Sequence, residues 1–256
     1  MNHYNELSRK IFNEYANNEK AKNVCISTDC VTLGFEALYL GTGGVTRHWT
    51  KFNATWKRPF DSEKTDKNGI FFVMPNISEQ VDMMIDDKIH SILVSKMETD
   101  LNVTAIKLPY KDEFGDSYIA IMPNRVATKD ELLSLFSSLD LDKFLSSFVE
   151  IRCCYLGVPK YTTETDVSID DGSLSSIEAL TAFRKPDLSN MFNGGLQYDY
   201  LKYKTIVTVN EMGTQVDVYV DGVSRDRKIE LNRPFLYLIV DRKNYISTIG
   251  TFMEPK

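Results

Sequence analysis

The apolar residues near the start of the chain recur every three or four positions, which is the spacing of one face of a helix. The residues that share this face are Tyr4, Leu7, Ile11, Phe12 and Tyr15. The pattern predicts a helix over 4–18. A second helix is expected after Ser27, with Thr28 or Asp29 as its N-cap and an end at Gly41.

The middle of the chain carries both strand and helix signals. Apolar runs predict strands within 68–84 and 101–123. Thr128 and Glu131 have the spacing of a capping box in front of an apolar run, so a helix is expected to begin there. A further short helix is expected near Asp140.

Strand signals dominate the last part of the chain. Residues 149–155 alternate between two faces, which predicts a strand, and Ser173 can cap one more helix. The later segments with strand character are 204–210, 214–221, 235–241 and 245–252. Helices early and strands late favour an α+β fold over repeated βαβ units. Because no linker or repeat divides the chain, we expect a single domain over 1–256.

Composition and charge exclude several classes of protein. A hydrophobic fraction of 43% and a charged fraction of 26% over 256 residues are ordinary for a globular protein. The net charge of −6 argues against nucleic-acid binding, which usually needs a basic surplus. No run of about 18 apolar residues occurs, so we expect no membrane span. The first residues, MNHYNELSRK, do not resemble a signal peptide.

Cysteines and glycosylation sequons bear on the compartment. The cysteines are Cys25, Cys30, Cys153 and Cys154. Their spacing does not resemble a disulfide framework, which favours reduced thiols inside a cell. The Asn-x-Ser/Thr sequons begin at Asn53, Asn76 and Asn102. They matter only if the chain is secreted.

No catalytic or metal site is visible in the sequence. None of His3, His48 and His90 lies at metal-ligand spacing from another ligand. No G-x-S-x-G, HExxH or Walker motif is present. The acidic pair Asp86–Asp87 is interpreted as a solvated turn. The sequence therefore predicts a protein that is not an enzyme and needs no metal ion or other cofactor.

Short segments spread over most of the chain resemble the serpin family, in the family's order. These segments are 23–27, 37–44, 52–60, 108–110, 120–123, 158–160, 182–189, 209–214, 231–239 and 250–255. Trp56 lies in FNATWKRPF, which resembles the F-G-W-PF strand end of serpins, and VNEMGT at 209–214 resembles their hinge VNEEGT. The resemblance implies a serpin-like α+β fold with large mixed and antiparallel β-sheets.

The chain departs from the serpin pattern in its first quarter. Serpins have several helices and edge strands of the main sheet between the turn at 41–44 and the residue matching Trp56, whereas here Thr46 leads almost directly to Trp49. The chain therefore looks most like the truncated, minimal serpins of poxviruses, with a reduced set of helices. The family's histidine near the hinge strand is replaced by Tyr203, which with Trp56 would mark the breach at the top of the main sheet.

The resemblance also implies a mechanism. In serpins a protease attacks an exposed reactive loop, and the cleaved loop inserts as a new strand into the main sheet. The hinge of this loop would comprise Glu211, Gly213 and Thr214. Residues 214–221 alternate between core-facing and outward positions, so they can form a strand. Their side chains are bulky and β-branched where inhibitory serpins have small ones, which should slow insertion.

The position of the scissile bond differs between two counts. The spacing from the hinge gives Arg227–Lys228, and counting back from 232–234 gives Val223–Ser224. The candidate loop residues are therefore Val223, Ser224, Arg225, Asp226, Arg227 and Lys228. Basic side chains at Arg225 and Arg227 would suit the carboxylate in a trypsin-like pocket. The alternative interpretation of this stretch is a polar turn between strands.

Two functions stay open at this point. The bulky hinge and the short loop favour a viral immune or virulence modulator that binds a host protein. The intact hinge motif and the basic loop favour a suicide-substrate inhibitor of a trypsin-like serine protease. For either function we expect a monomer in the cytoplasm of a host cell, with a host protease or other host protein as its partner and without nucleic acid, membrane or metal.

Overall fold

The computed structural model describes residues 3–29, 54–88, 90–111, 115–170, 200–212 and 227–255, and only the backbone at 167–170 and 200–203. Within these residues the α-helices are α1 (His3–Asn18), α2 (Glu98–Leu101), α3 (Lys129–Ser138) and α4 (Leu141–Leu145), with a 3₁₀ turn at Ser62–Lys64. Thr28 and Asp29 are helical, where a helix is predicted after Ser27; the rest of that predicted helix, and the helix predicted at Ser173, lie outside the described residues.

The strands confirm the α+β prediction. They are β1 (Val24–Ser27), β2 (Asp66–Met74), β3 (Ile77–Asp86), β4 (His90–Ser95), β5 (Val103–Pro109), β6 (Ser117–Pro123), β7 (Phe148–Pro159), β8 (Tyr161–Asp170), β9 (Tyr200–Val209), β10 (Arg227–Glu230), β11 (Phe235–Val240) and β12 (Ile246–Phe252).

Ten of these strands form one mixed sheet. Its order is β1-β12-β11-β6-β5-β4-β7-β3-β2, and β10 pairs in parallel with β7. The remaining two described strands, β8 and β9, form an antiparallel pair that packs on β1. This pair is held to β1 by polar contacts, because the Cys25 and Ser27 amides donate to the hydroxyls of Thr165 and Thr205.

The predicted helix at 4–18 is confirmed as α1. Its buried apolar face includes Ile11, Phe12 and Tyr15, and the ring of Phe12 meets Phe136 of α3 edge-on at 6.1 Å between centroids. Helix α1 thereby covers one side of the large sheet together with α3 and α4.

The two predicted helix starts in mid-chain are also confirmed. Thr128 accepts from the Glu131 amide, and the Glu131 carboxylate accepts from the Thr128 amide at 2.8 Å, which completes the capping box. The Asp140 carboxylate accepts from the Lys143 amide at 3.1 Å at the start of α4. Each bond satisfies an amide that the first turn of a helix leaves without a partner.

The central strands of the large sheet are buried on both faces. Every residue of β6 and β11 is buried, because helices cover one face and aromatic side chains fill the other. Ile119 and Leu238 belong to the helix side, whereas Tyr118 and Tyr237 belong to the aromatic side. Alternate residues of a strand therefore build two separate cores.

The interpretation of Asp86–Asp87 as a solvated turn is wrong for Asp86. Its side chain is buried, and its carboxylate accepts from Nε of Arg58 at 2.7 Å and lies 3.6 Å from Nδ1 of His90. Burial of a carboxylate is tolerated when a charged donor pairs with it. Asp87 is exposed and forms an ion pair with Lys64.

Replacing Gly250 by alanine tests how tightly β12 packs against β11. An added Cβ would lie 2.2 Å from Cζ of Tyr237. We expect Gly250→Ala to lower the free energy of unfolding by about 1–3 kcal/mol through overpacking, measured by urea denaturation. The control is Gly157→Ala, because its Cβ would meet the movable side chain of Glu230. An equal or smaller loss for Gly250→Ala than for the control would contradict the expectation.

Candidate functional site

Trp56 lies beside the carboxyl end of β9, where the predicted hinge begins. Its indole Nε1 donates to the carbonyl of Asn210 at 2.7 Å, and its backbone amide donates to the carbonyl of Met212 at 3.4 Å. The ring stacks on Tyr110 with centroids 4.7 Å apart, and the two residues also form a β-bridge. Trp56 therefore fixes residues 210–212, which directly precede the predicted hinge residue Gly213.

A buried aromatic cluster supports Trp56 from below. Tyr118 meets Trp56 edge-on at 5.6 Å and stacks with Tyr237 at 5.9 Å. The hydroxyls of Tyr118 and Tyr161 lie 2.9 Å apart, and burial raises the pKa of both phenols. The cluster contains no formal charge at neutral pH, and it joins the large sheet to the end of β9.

Glu211, the first predicted hinge residue, is held by two partners. Its carboxylate accepts from the Thr65 hydroxyl at 2.9 Å and lies 3.1 Å from Nζ of Lys160. Burial by itself would raise the pKa of Glu211, but hydrogen bonds from its own amide, Lys160 and Thr65 outweigh burial and lower this pKa. The hinge carboxylate is therefore stabilised as an anion.

Most of the remaining predicted hinge and loop residues lie outside the described part of the chain. These residues are Gly213, Thr214, Val223, Ser224, Arg225 and Asp226. The strand prediction for 214–221 also falls there. Tyr203 lies in β9 opposite Val167 of β8, and its side chain is not described. The roles assigned to these residues stay predictions.

Arg227 and Lys228 are the described members of the candidate loop. Both lie in β10, where Arg227 pairs with Cys153 and Lys228 with Tyr155 of β7. Nη1 of Arg227 donates to Oε2 of Glu98 at 2.5 Å. The structure therefore places one of the two candidate scissile bonds within a paired strand, at a point where the register of the pairing shifts.

One cysteine–histidine pair comes together that the sequence did not indicate. His90 of β4 lies directly opposite Cys153 of β7. Burial raises the pKa of the Cys153 thiol and lowers the pKa of His90. Both shifts favour the neutral forms, whereas a nucleophilic cysteine needs the thiolate. Within the described residues, no three His, Cys, Asp or Glu side chains are grouped so that they could hold a metal ion.

Two of the three sequons can be located. Asn76 lies in the exposed turn between β2 and β3. Asn102 ends α2 in the left-handed conformation, and its Oδ1 accepts from Nδ2 of Asn124 at 3.1 Å. Asn53 lies outside the described residues. Among the helices that can be described, none is both long and apolar enough to span a membrane.

Sequence reasoning identified Trp56 and Glu211 but missed their partners. Lys160 belongs to a segment that resembles serpins, yet no local signal connects it with Glu211. Glu98 was not identified at all, because its partner Arg227 is 129 positions away. A pairing at that distance leaves no periodicity or spacing that a single sequence can reveal.

The pH dependence of stability should report the Glu211 contacts. Because the folded state lowers the pKa of Glu211, this group stabilises the fold above its unfolded pKa of about 4.3, and the gain disappears as the pH falls through the folded value. We expect the difference in unfolding free energy between wild type and Glu211→Gln to be full at pH 6 and to shrink toward pH 3, measured by urea denaturation.

The Lys160→Met background is the control for this prediction. There, Glu211→Gln should make a smaller difference at pH 6, because Lys160 supplies part of the stabilisation of the anion. A difference that is independent of pH, or that grows toward pH 3, would contradict the assignment.

Comparisons with known proteins match this architecture. The family model described as Serpin (serine protease inhibitor) matches residues 48–255. The chain is 26% identical over 245 residues to Serpin A3-8 of Bos taurus, covering 92% of this chain and 55% of the relative. It is 26% identical over 222 residues to Serine proteinase inhibitor 1 of Vaccinia virus (strain Western Reserve), covering 80% of this chain and 59% of the relative.

Solved structures show the same fold. Uncleaved ovalbumin matches with a TM-score of 0.65 at 20% identity, covering 79% of this chain and 55% of that one. A thyroxine-binding globulin complex with thyroxine matches with a TM-score of 0.64 at 20% identity, covering 88% and 64%. The chain thus spans less than two thirds of the length of these proteins. With the family model matching most of its residues, this chain belongs to the serpin family.

Proposed function

We propose that this serpin is a viral protein that modulates its host by binding a host protein, without trapping a protease covalently. The observation that carries the proposal is that Trp56 fixes the residues directly after β9. Trp56 bonds to the carbonyls of Asn210 and Met212 and stacks on Tyr110. The predicted loop follows directly after these residues, so turning it back to pair beside β9 would disturb them, which costs up to two hydrogen bonds and the contacts of a buried ring.

The sequence after the hinge adds a kinetic obstacle. Val216, Val218 and Val220 are stiff at χ1, and Asp217 brings a charge into the sheet edge. Covalent trapping requires that insertion be faster than hydrolysis of the acyl-enzyme. Slow insertion leaves the loop as a substrate, and the protein then acts through its surface.

A suicide-substrate inhibitor is the second candidate, because the part of the loop that would insert has the same length as β9, the strand that it would pair with. Residues from Thr214 to Val223 number ten, and β9 (Tyr200–Val209) also has ten residues. Ten extended residues span about 33 Å. A loop cleaved at Val223–Ser224 could therefore pair along the whole of β9.

The proposal includes a place of action. Relatives that match this chain come from Vaccinia virus, Monkeypox virus and Fowlpox virus. The buried Cys25 and Cys153 are thiols in the described structure, which suits a reducing compartment. We therefore propose the cytoplasm of the host cell as the place of action. The proposal also takes the chain to be a monomer and a single domain over 1–256.

Incubation with trypsin separates the two candidates. We expect cleavage within 221–228, no complex that survives denaturing electrophoresis, and little change in the melting temperature of the cleaved protein. A covalent complex together with a large rise in melting temperature would overturn the proposal in favour of inhibition. The control for that outcome is Thr214→Arg, because an arginine at a core-facing position of the inserted strand would be buried without a partner.

Capture of partners from host-cell lysate tests the binding function itself. We expect the same host protein to be retained by wild type and by the Arg225→Ala, Arg227→Ala double variant, with mass spectrometry as the readout. Loss of every partner in the double variant would indicate that the loop arginines are the contact, as an inhibitor requires.

A further inference from the structure

We propose that Glu98 is a specificity-determining residue that withholds Arg227 from trypsin-like proteases. A trypsin-like pocket holds an arginine through a carboxylate. Glu98 offers the same chemistry within the molecule, because its Oε2 accepts from Nη1 of Arg227 at 2.5 Å. The inference is independent of whether the protein binds a host partner or traps a protease.

Both oxygens of the Glu98 carboxylate are used. Oε1 accepts from the backbone amide of Ala105 at 2.7 Å, at the start of β5. The side chain of Glu98 is only 12% exposed, whereas that of Arg227 is 39% exposed. The carboxylate is therefore positioned by the fold before Arg227 binds, and it cannot swing away without leaving the Ala105 amide unpaired.

The turn that carries Glu98 is itself fixed at both ends. The Ser95 hydroxyl accepts from the Met97 amide at 3.1 Å immediately before α2. Asn102 ends α2 with φ of 52°, and its carbonyl accepts from the Asn124 amide at 3.1 Å. Because the turn is anchored to the strands on either side, Glu98 presents a rigid acceptor to Arg227.

The backbone of Arg227 is held as well. β10 has four residues and pairs with β7, with Arg227 opposite the buried Cys153. The amide of Leu231 continues the pairing by donating to the Gly157 carbonyl at 2.9 Å. A protease that cut Arg227–Lys228 would have to lift β10 off β7 and break the ion pair, so cleavage there depends on local opening.

Limited proteolysis with trypsin tests the inference. We expect wild type to be cut at Arg227–Lys228 at least tenfold more slowly than a synthetic peptide of residues 221–232, which lacks Glu98. Glu98→Gln should raise cleavage at this bond by about tenfold, the order expected for loss of one charge-assisted hydrogen bond. The readout is the time course of the new termini by mass spectrometry, with cleavage after Arg225 as the internal reference.

A matched control and a second variant distinguish a local effect of Glu98 from a general loss of folding. Glu254→Gln removes the carboxylate of the exposed pair with Lys22 and should leave cleavage after Arg227 unchanged. In an Arg225→Gln background, the chain should keep the Arg227–Lys228 bond intact until Glu98→Gln is added. Equal cleavage of wild type and peptide, or no change in Glu98→Gln, would overturn the inference.

The test of Glu98 is separate from the test of the proposed function. Formation of a covalent complex is scored on the same samples by denaturing electrophoresis, whereas the Glu98 effect is read from which bond is cut. Either result can therefore fail while the other holds.

Discussion

Burial of both faces of the central strands is the constraint on which the rest of this molecule depends. β6 and β11 are buried along their whole length, so each needs a cover on either side. Helices α1, α3 and α4 supply one cover. The other is a set of aromatic rings that includes Tyr118, Tyr161 and Tyr237. Because these rings continue to Trp56, the packing that stabilises the sheet also positions the chain beside the hinge.

The elements that the sequence could predict are those with local signals. The helical spacing from Tyr4 to Tyr15 and the capping box at Thr128 each lie within about three turns of helix, and both were confirmed. β4 and α2 were not predicted, because each is short and draws its stability from neighbours. Asp86 was misinterpreted for a related reason, since its partner Arg58 lies 28 positions earlier.

In the candidate site, too, the sequence identified residues that lie in motifs but not their distant partners. Resemblance to serpins named Trp56 and Glu211, and both lie at the end of β9 beside the hinge. The acceptor at Asn210 and the cation at Lys160 are brought there by strands that meet only in the folded protein. The pairing of Glu98 with Arg227 joins a helical turn to a four-residue strand, and neither has a motif. Motifs can therefore name the residues of such a site, but the contacts between them come from topology.

The large sheet combines strands from both sides of the segment between β9 and β10, and this matters if a protease cuts the chain there. The piece that follows the nick contributes β11 and β12, which lie inside the sheet between β1 and β6. Their side chains belong to both cores. A clipped molecule would therefore persist as a two-chain particle held together without a covalent link, and its fragments would part only when the sheet itself is denatured.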